Sequence, residues 1–297
     1  MSTYSFRQVD VFTDTPLAGN PLAVFSDARG LDAAAMQAVA REMNLSETTF
    51  VLPAEVGGDA KVRIFTPATE LPFAGHPSVG TAWDLVSRGA VGIVSPVTRV
   101  TLELGVGPTV VDVEVRDGRP VGGTVRQGPP RYGAGIPRCR AAAVLGLAEE
   151  DLHPELDPAV VGTGLDYAVI PLRDQAALGR IALDTGVLGA FEGEFAEVYP
   201  FAFTGGHEPW IEARGLFPLV GIPEDPATGS AAGPLAAYVA RAGLLSPGEA
   251  RVVLQGARVE RPSRLTVSVT GAPGLIDDVL VGGSVRPVLR GELCLPG

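Results

Sequence analysis

Residues 224–243 decide the fold, and they read E-D-P-A-T-G-S-A-A-G-P-L-A-A-Y-V-A-R-A-G. Within residues 230–242 only Tyr238 and Arg241 carry a sizeable polar group, which is typical of a helix buried on nearly every side. The helix is predicted to begin at Gly229 and Ser230. There the first backbone N–H groups lack intrahelical partners and the helix dipole favours an anion. This helix start is therefore a candidate ligand site.

A second stretch, residues 70–89, resembles the first and reads E-L-P-F-A-G-H-P-S-V-G-T-A-W-D-L-V-S-R-G. The identical pairs are Glu70/Glu224, Pro72/Pro226, Gly75/Gly229, Ala82/Ala236 and Gly89/Gly243. Just upstream, V-R-I-F-T-P (62–67) resembles A-R-G-L-F-P (213–218). One interpretation is two unrelated helix starts, because helix termini favour Pro and Gly. The other is two similar halves, each with an anion site at a helix start, and chemistry in the cleft between them.

Composition narrows the class of protein. The chain has 297 residues, of which 46% are hydrophobic and 19% charged, so it can form a sizeable core. The net charge is −11 and Lys61 is the single lysine, which argues against nucleic acid and anionic membranes as partners. The N-terminus lacks the apolar core of a signal peptide, and no apolar run reaches membrane-spanning length. Cys139 and Cys294 have no C-x-x-C spacing and are expected to be inert core thiols. A cytoplasmic protein is predicted.

The order of predicted elements favours an α+β fold. Many strands precede one long helix and further strands follow it, and this order occurs twice. A shorter helix is predicted after Asp32, ending at Asn44. Residues 160–171 resemble one strand with a glycine break, residues 195–203 another strand, and residues 279–281, 285–289 and 292–295 short separate strands. We expect two halves, each a curved mixed sheet around a central helix: 1–120 plus about 283–297, and 121–282.

Several familiar catalytic and metal motifs are missing or incomplete. His76, His153 and His207 do not have the spacing of metal ligands, so no metal site is predicted. In G-S-A-A-G (229–233) the serine is second, unlike the nucleophile of G-x-S-x-G hydrolases. A triad of Ser230, His76 and Asp225 across the cleft stays open as an alternative. Glu47 is either an ordinary surface glutamate or a half-buried one, and its neighbours alone do not decide which.

Five motifs carry a resemblance to a known family: G-N-P-L-A-V-F (19–25), L-S-E-T-T-F-V-L-P (45–53), E-L-P-F-A-G-H-P (70–77), E-D-P-A-T-G-S-A-A (224–232) and Q-G-A-R-V-E-R-P-S (255–263). Together they resemble the PhzF-like isomerases of phenazine biosynthesis. The resemblance extends over essentially the whole chain. It implies a fold similar to diaminopimelate epimerase, with two pseudo-symmetric halves and an active site between them.

The resemblance also implies roles for individual residues. Glu47 would be the proton shuttle, and His76 and Asp225 would position the substrate and the shuttle. Substrate-binding residues would be Asn20, Gly75, Gly229 and Ser230, the last three holding the substrate carboxylate. The sequence departs from the family at Glu260, where glycine is usual, and this departure puts the local turn in question.

Related epimerases use a thiol at each helix start, but this chain has Ala74 and Thr228 there. Neither side chain exchanges protons well, so racemisation by two thiols is excluded. A glutamic acid whose pKa is raised by burial can instead move a proton between two carbons of a conjugated system. The expected function is thus a cofactor-independent isomerase, without a metal, acting on a small unsaturated carboxylic acid. A non-thiol epimerase or racemase and a non-catalytic carboxylate-binding module are the alternatives. The resemblance further implies a homodimer.

Overall fold

The computed structural model of the chain describes residues 2–190, 197–206, 208–272 and 274–295. The strands are β1 (Ser2–Val11), β2 (Asn20–Phe25), β3 (Glu47–Leu52), β4 (Ala60–Phe65), β5 (Glu70–Leu71), β6 (Val97–Leu104), β7 (Gly107–Arg116), β8 (Arg119–Arg126), β9 (Arg131–Gly135), β10 (Ala159–Gly162), β11 (Asp166–Pro171), β12 (Val198–Phe203), β13 (Ile211–Ala213), β14 (Gly215–Phe217), β15 (Ile222–Asp225), β16 (Ala250–Gln255), β17 (Ser263–Ala272) and β18 (Leu275–Leu295). The α-helices are α1 (Ala33–Met43), α2 (Gly75–Ser87), α3 (Arg138–Leu145), α4 (Gln175–Arg180), α5 (Thr185–Gly189) and α6 (Gly229–Arg241).

The chain forms two compact units. The first unit contains Met1–Arg126 and Gly282–Gly297, and the second contains Gln127–Val281. Strand β18 carries the chain from the second unit back into the first.

The first unit is a mixed sheet around helix α2. Its pairings are β1–β2 antiparallel, β2–β3 parallel, β3–β4 antiparallel, β4–β6 parallel, and β6–β7 and β7–β8 antiparallel. Because β1 and β8 both pair with β18, the sheet closes on itself. Every residue of α2 from Gly75 to Val86 is buried inside it. Its buried polar side chains have partners: Ser78 Oγ donates to the Ala74 carbonyl, and Asp84 accepts from Arg7 and Ser26.

Helix α1 covers another face of this sheet and has the predicted limits. The Asp32 side chain accepts a hydrogen bond from the Ala35 N–H at 2.8 Å, and Asn44 ends the helix in the left-handed conformation. Its buried residues Met36, Val39 and Ala40 lie in one apolar cluster with Phe25 and Phe50. The period-3.6 spacing of those apolar residues produces this contact face.

The second unit also combines antiparallel and parallel pairs around a long helix. Its pairings are β9–β10 and β10–β11 antiparallel, β11–β12 parallel, β12–β13 antiparallel, β13–β16 parallel and β16–β17 antiparallel. Helix α6 is buried over most of its length, and Arg241 in its last turn is exposed. Helices α3, α4 and α5 contribute to a separate apolar cluster with β11 and β12.

Three predictions about strands and thiols were wrong in detail. Residues 160–171 form the hairpin β10–β11, because the chain reverses at residues 163–165. The three short strands expected after residue 279 belong to one strand of 21 residues, β18. Glycines on both strands allow β8 and β18 to approach closely: a Cβ on Gly122 of β8 would lie 2.3 Å from the Gly283 carbonyl oxygen, and one on Gly282 of β18 would lie 2.7 Å from the Gly123 carbonyl oxygen.

The two cysteines are exposed, which corrects the prediction of core thiols. In β18, Leu293 and Leu295 pack on the apolar cluster that contains Phe25 and Phe50. Strand pleating therefore turns Cys294 to the opposite, exposed side. Part of the strand predicted at 195–203, and His207, lie outside the described residues. Over the described ranges, no helix combines the length and apolar character needed to span a membrane.

Candidate functional site

The start of helix α2 is the first part of the candidate site. Ala74 precedes the helix in an extended conformation, and its methyl side chain makes no capping hydrogen bond to the first turn. Gly75 and His76 are its first two residues, and Pro77 fits the first turn because a proline there loses no intrahelical hydrogen bond. The backbone N–H groups of this buried turn can therefore bind an anion.

Strand pleating brings Glu47 to this helix start. Glu47 begins β3, and alternation places it on the same side of the sheet as Thr49, whose Oγ1 lies 2.9 Å from Thr81 Oγ1 of α2. Glu47 is 9% exposed, so the structure supports the half-buried interpretation of this residue. Its Oε2 lies 3.3 Å from His76 Nε2.

His76 is neutral at physiological pH. Burial lowers the pKa of His76 to about 3, although a backbone hydrogen bond at Pro21 acts in the opposite direction. Proline has no N–H, so the imidazole must donate to the Pro21 carbonyl. Within the described residues His76 Nε2 makes no hydrogen bond, which assigns the donated proton to Nδ1 and leaves Nε2 as an acceptor facing Glu47.

Asn20 belongs to the same part of the first unit. It begins β2, is fully buried, and directly precedes the Pro21 carbonyl that binds His76. Two residues further along, Leu22 pairs with Glu47 in the parallel register of β2 and β3. Asn20 and Glu47 are thus brought to Gly75 and His76, although the three segments are distant in sequence.

The start of helix α6 is the corresponding part of the second unit. Asp225 ends β15 and is 6% exposed, and Thr228 Oγ1 donates to its Oδ2 at 2.6 Å. Gln255 fixes the loop between them. Its Nε2 donates to the Asp225 carbonyl at 2.8 Å and to Thr228 Oγ1 at 2.9 Å. Its Oε1 accepts from the Thr228 N–H at 3.1 Å and the Tyr199 hydroxyl at 2.8 Å. The buried amide therefore has partners for both its nitrogen and its oxygen.

Ser230 lies in the first turn of α6, next to Gly229, and it also has a partner. Its Oγ is 2.6 Å from the hydroxyl of Tyr167, which is 2% exposed and lies in β11. Gln127 Nε2 donates to the Gly229 carbonyl at 2.9 Å and steadies the helix start from the side. Ser230 faces Tyr167 and His76 Nε2 faces Glu47, so these contacts give the Ser-His-Asp alternative no support.

Sequence reasoning missed three residues of this region. Gln255 could have been identified from the sequence, because it begins the motif Q-G-A-R-V-E-R-P-S (255–263). Tyr167 and Glu197 lie in no motif, and only the fold brings Tyr167 to Ser230 of α6 and Glu197 to Tyr167. Burial, the largest cause, and the charge of Asp225 raise the pKa of Glu197, while its hydrogen bond with Tyr167 acts against them.

Comparison with known proteins places these residues in a family context. The profile described as "Phenazine biosynthesis-like protein" (PhzC-PhzF) matches residues 9–291. A protein of Pseudomonas aeruginosa named trans-2,3-dihydro-3-hydroxyanthranilate isomerase is 38% identical over 287 residues, covering 97% of this chain and 98% of its own. The solved PhzF-family phenazine biosynthesis protein of Bacillus anthracis is 28% identical, with a TM-score of 0.88, covering 99% of this chain and 100% of its own.

A more distant structure concerns the fold alone. A probable proline racemase from Agrobacterium radiobacter is 16% identical, with a TM-score of 0.69, covering 99% of this chain and 93% of its own. The general prediction of an epimerase-like α+β fold is confirmed.

Proposed function

Because this chain belongs to the phenazine biosynthesis-like (PhzC-PhzF) family and is an isomerase, we propose that it moves a proton between two carbons of a small unsaturated carboxylic acid, with Glu47 as the shuttle. The observation that carries the proposal is the contact of 3.3 Å between Glu47 Oε2 and His76 Nε2 at the start of α2. It joins a buried carboxyl group to a neutral imidazole at a site suited to an anion.

The chemistry requires a single group that both accepts and returns a proton. A carboxylate can take a proton from one carbon of a conjugated system and, as the acid, give it to another carbon. The position of Glu47 at a strand start, packed against a helix, restricts its side chain and favours one approach direction. Ala74 and Thr228 supply no thiol base, which supports isomerisation over two-thiol racemisation.

His76 has a positioning role in this proposal. A neutral imidazole supplies no positive charge to hold Glu47 as a carboxylate. Its Nε2 can accept the proton of the glutamic acid as a hydrogen bond, while Nδ1–H on the Pro21 carbonyl fixes the ring. In this way His76 orients the proton-carrying form of Glu47. Asp225, held by Thr228, has the matching positioning role in the second unit.

The substrate carboxylate is assigned to helix-start N–H groups. We assign this role to Gly75 of α2, and to Gly229 with Ser230 of α6, and assign a binding role to Asn20. Each helix terminus contributes about 0.3–1 kcal/mol toward a bound anion.

Pseudo-symmetric halves belong to the same proposal, and features inside each unit support them. Arg63 Nε donates to Glu70 Oε1 at 2.7 Å in the first unit, and Arg214 Nε donates to Glu224 Oε1 at 3.1 Å in the second. Both pairs are bidentate and precede a buried helix of 13 residues. In each unit the pairing also runs antiparallel, parallel, antiparallel, parallel and antiparallel.

The substrate class follows from the relative. The substrate named for the Pseudomonas aeruginosa protein is trans-2,3-dihydro-3-hydroxyanthranilate, an unsaturated ring with a carboxylate. We propose a substrate of this chemical class here and use that compound as the first to test.

The decisive experiment is Glu47→Gln. Glutamine keeps the size and hydrogen bonding of glutamate but does not accept the proton. Ligand binding should therefore persist, while turnover of trans-2,3-dihydro-3-hydroxyanthranilate falls by roughly 10²–10⁴-fold. Glu42→Gln, on an exposed position of α1, is the matched control and should keep wild-type turnover. Near wild-type turnover by Glu47→Gln would remove Glu47 from the mechanism, and an inverted centre in a product with unmoved double bonds would indicate epimerisation.

A further inference from the structure

Tyr167 connects Ser230 to the half-buried carboxyl group of Glu197 in the second unit. The Tyr167 hydroxyl lies 2.6 Å from Ser230 Oγ and is also hydrogen-bonded to Glu197. Glu197 lies beside Tyr167, because the residues that follow them, Val198 of β12 and Ala168 of β11, are partners in the parallel register, and the Ala168 N–H donates to the Glu197 carbonyl at 2.9 Å. Glu197, Tyr167 and Ser230 therefore form a chain of hydrogen bonds that ends at the first turn of α6.

The donor and acceptor in each of these hydrogen bonds depend on whether Glu197 carries a proton. A carboxylate only accepts, so an ionised Glu197 takes the Tyr167 proton, and the Tyr167 oxygen then accepts from Ser230. In that arrangement Ser230 Oγ presents only lone pairs to a ligand. A protonated Glu197 can instead donate to Tyr167, which donates to Ser230, and the Ser230 proton is then available to a ligand.

We propose that Glu197 is a positioning residue that sets, through Tyr167, whether Ser230 donates a hydrogen bond to the substrate carboxylate. This inference rests on the proposed function, because it takes Ser230 as part of the carboxylate site. It goes further by assigning a role to Glu197 and Tyr167 and by giving carboxylate binding a pH dependence that belongs to neither Glu47 nor His76.

The surroundings of Glu197 give the direction of that dependence. Among the described residues, the titratable groups acting on Glu197 are Tyr167 of β11 and Asp225 of β15. Burial and the Asp225 charge keep Glu197 protonated to a higher pH than an exposed glutamate, and burial raises the pKa of Tyr167 well above its ordinary value. Tyr167 therefore keeps its proton, and Glu197 is the group that changes. Carboxylate binding should weaken as pH rises and Glu197 ionises.

Calorimetric titration with anthranilate tests the proposal. The wild-type dissociation constant, corrected for the ionisation of anthranilate itself, should increase on the order of tenfold as pH rises and Glu197 ionises. Glu197→Gln carries a permanent amide donor, so it should keep the tight low-pH affinity throughout. Tyr167→Phe cuts the chain and frees Ser230, so its affinity should also lose the pH dependence. Glu155→Gln removes an exposed carboxylate of the same unit and should behave as the wild type.

A measurement without ligand separates this inference from the proposed function. The backbone ¹H–¹⁵N resonance of Ser230 should show a titration step in the wild type that is absent from Glu197→Gln and Tyr167→Phe. Failure of anthranilate to bind at any pH would overturn the proposed carboxylate site. A pH dependence that survives in Glu197→Gln, in either measurement, would overturn the role of Glu197. Uniformly weaker binding by the two variants, with an unchanged slope against pH, would show a structural role only.

Discussion

The pKa of His76 is the clearest case in which one side chain links folding to pH. Its folded value of about 3 lies below the ordinary value of 6.5. Above the ordinary value both folded and unfolded chains hold a neutral imidazole, and pH has no effect through this group. Between the two values the unfolded chain binds a proton that the folded chain does not, so stability falls as pH falls.

Replacing His76 should therefore remove part of the acid sensitivity. We expect the free energy of unfolding of the wild type to include a loss of about 3 kcal/mol from His76 between pH 7 and pH 4. His76→Gln should lack that loss, so urea unfolding across this range will give a shallower slope. His153→Gln is the control. Burial lowers the pKa of His153 as well, but the His153 side chain is only half-buried. Parallel pH profiles for the wild type and His76→Gln would contradict the assignment.

Glu260 is the second single residue with a measurable consequence. It follows the 3₁₀ turn Ala257–Val259 and has φ 57° and ψ 22°, in the left-handed region. A non-glycine residue in this conformation costs about 1–2 kcal/mol of folding free energy. Glycine avoids that cost, but it loses more conformational entropy on folding, which offsets part of the gain. This geometry gives the physical reason why glycine suits the turn and shows that the chain adopts it with glutamate.

Glu260→Gly should therefore stabilise the fold by about 0.5–1 kcal/mol, measured by urea unfolding, without changing turnover. Glu155→Gly at an exposed position with negative φ provides the comparison and should lose stability. A loss of stability in Glu260→Gly would mean that the glutamate side chain contributes more than its backbone strain costs.

At the scale of elements, the loop from β15 to α6 depends on Gly215 of β14. A Cβ at this position would lie 2.5 Å from Thr228 Oγ1 and 2.9 Å from Gln255 Nε2. Both atoms already take part in the hydrogen bonds that hold Asp225, so neither can move without breaking one. Gly215 is not among the residues with positive φ, so its backbone conformation does not require glycine. The close approach of Thr228 and Gln255 does.

Gly215→Ala should consequently lower the free energy of unfolding by about 1–3 kcal/mol. It should also reduce kcat/KM, because Asp225 loses its fixed position. Gly135→Ala in β9 is the matched variant, since its Cβ would have no neighbour within 4 Å. Wild-type stability and kcat/KM in Gly215→Ala would show that the loop absorbs the methyl group and does not depend on this contact.

Local sequence signals predicted some elements well and failed for others. The starts of α1, α2 and α6 were predictable, because capping residues, proline and glycine act within one turn. Strand β18 was not, because Gly282 and Gly283 resemble a break unless the close approach of β8 is known. Glu47, His76 and Asp225 were named through motifs. Tyr167, by contrast, reaches α6, and Glu197 reaches Tyr167, only through strand pairing that no short window contains.

For the whole molecule, composition excludes fewer functions than membership of the family does. A net charge of −11 argued against polyanionic partners but said nothing about a small carboxylate, whose binding depends on local N–H groups. The family profile over residues 9–291 fixes the class of enzyme, and the site geometry supports the particular roles. The homodimer implied by the resemblance stays a prediction.

The cysteines allow a test of the whole molecule without any mutation. Cys139, in α3, and Cys294, in β18, are both exposed, so iodoacetamide should modify both in the native protein. The thiol positions of related epimerases are occupied by Ala74 and Thr228, so the reaction should not depend on either cysteine. Mass spectrometry should find two adducts, with turnover within about twofold of the untreated enzyme. Rapid loss of turnover on modification, prevented by bound anthranilate, would show instead that a thiol takes part and that the carboxylate mechanism is wrong.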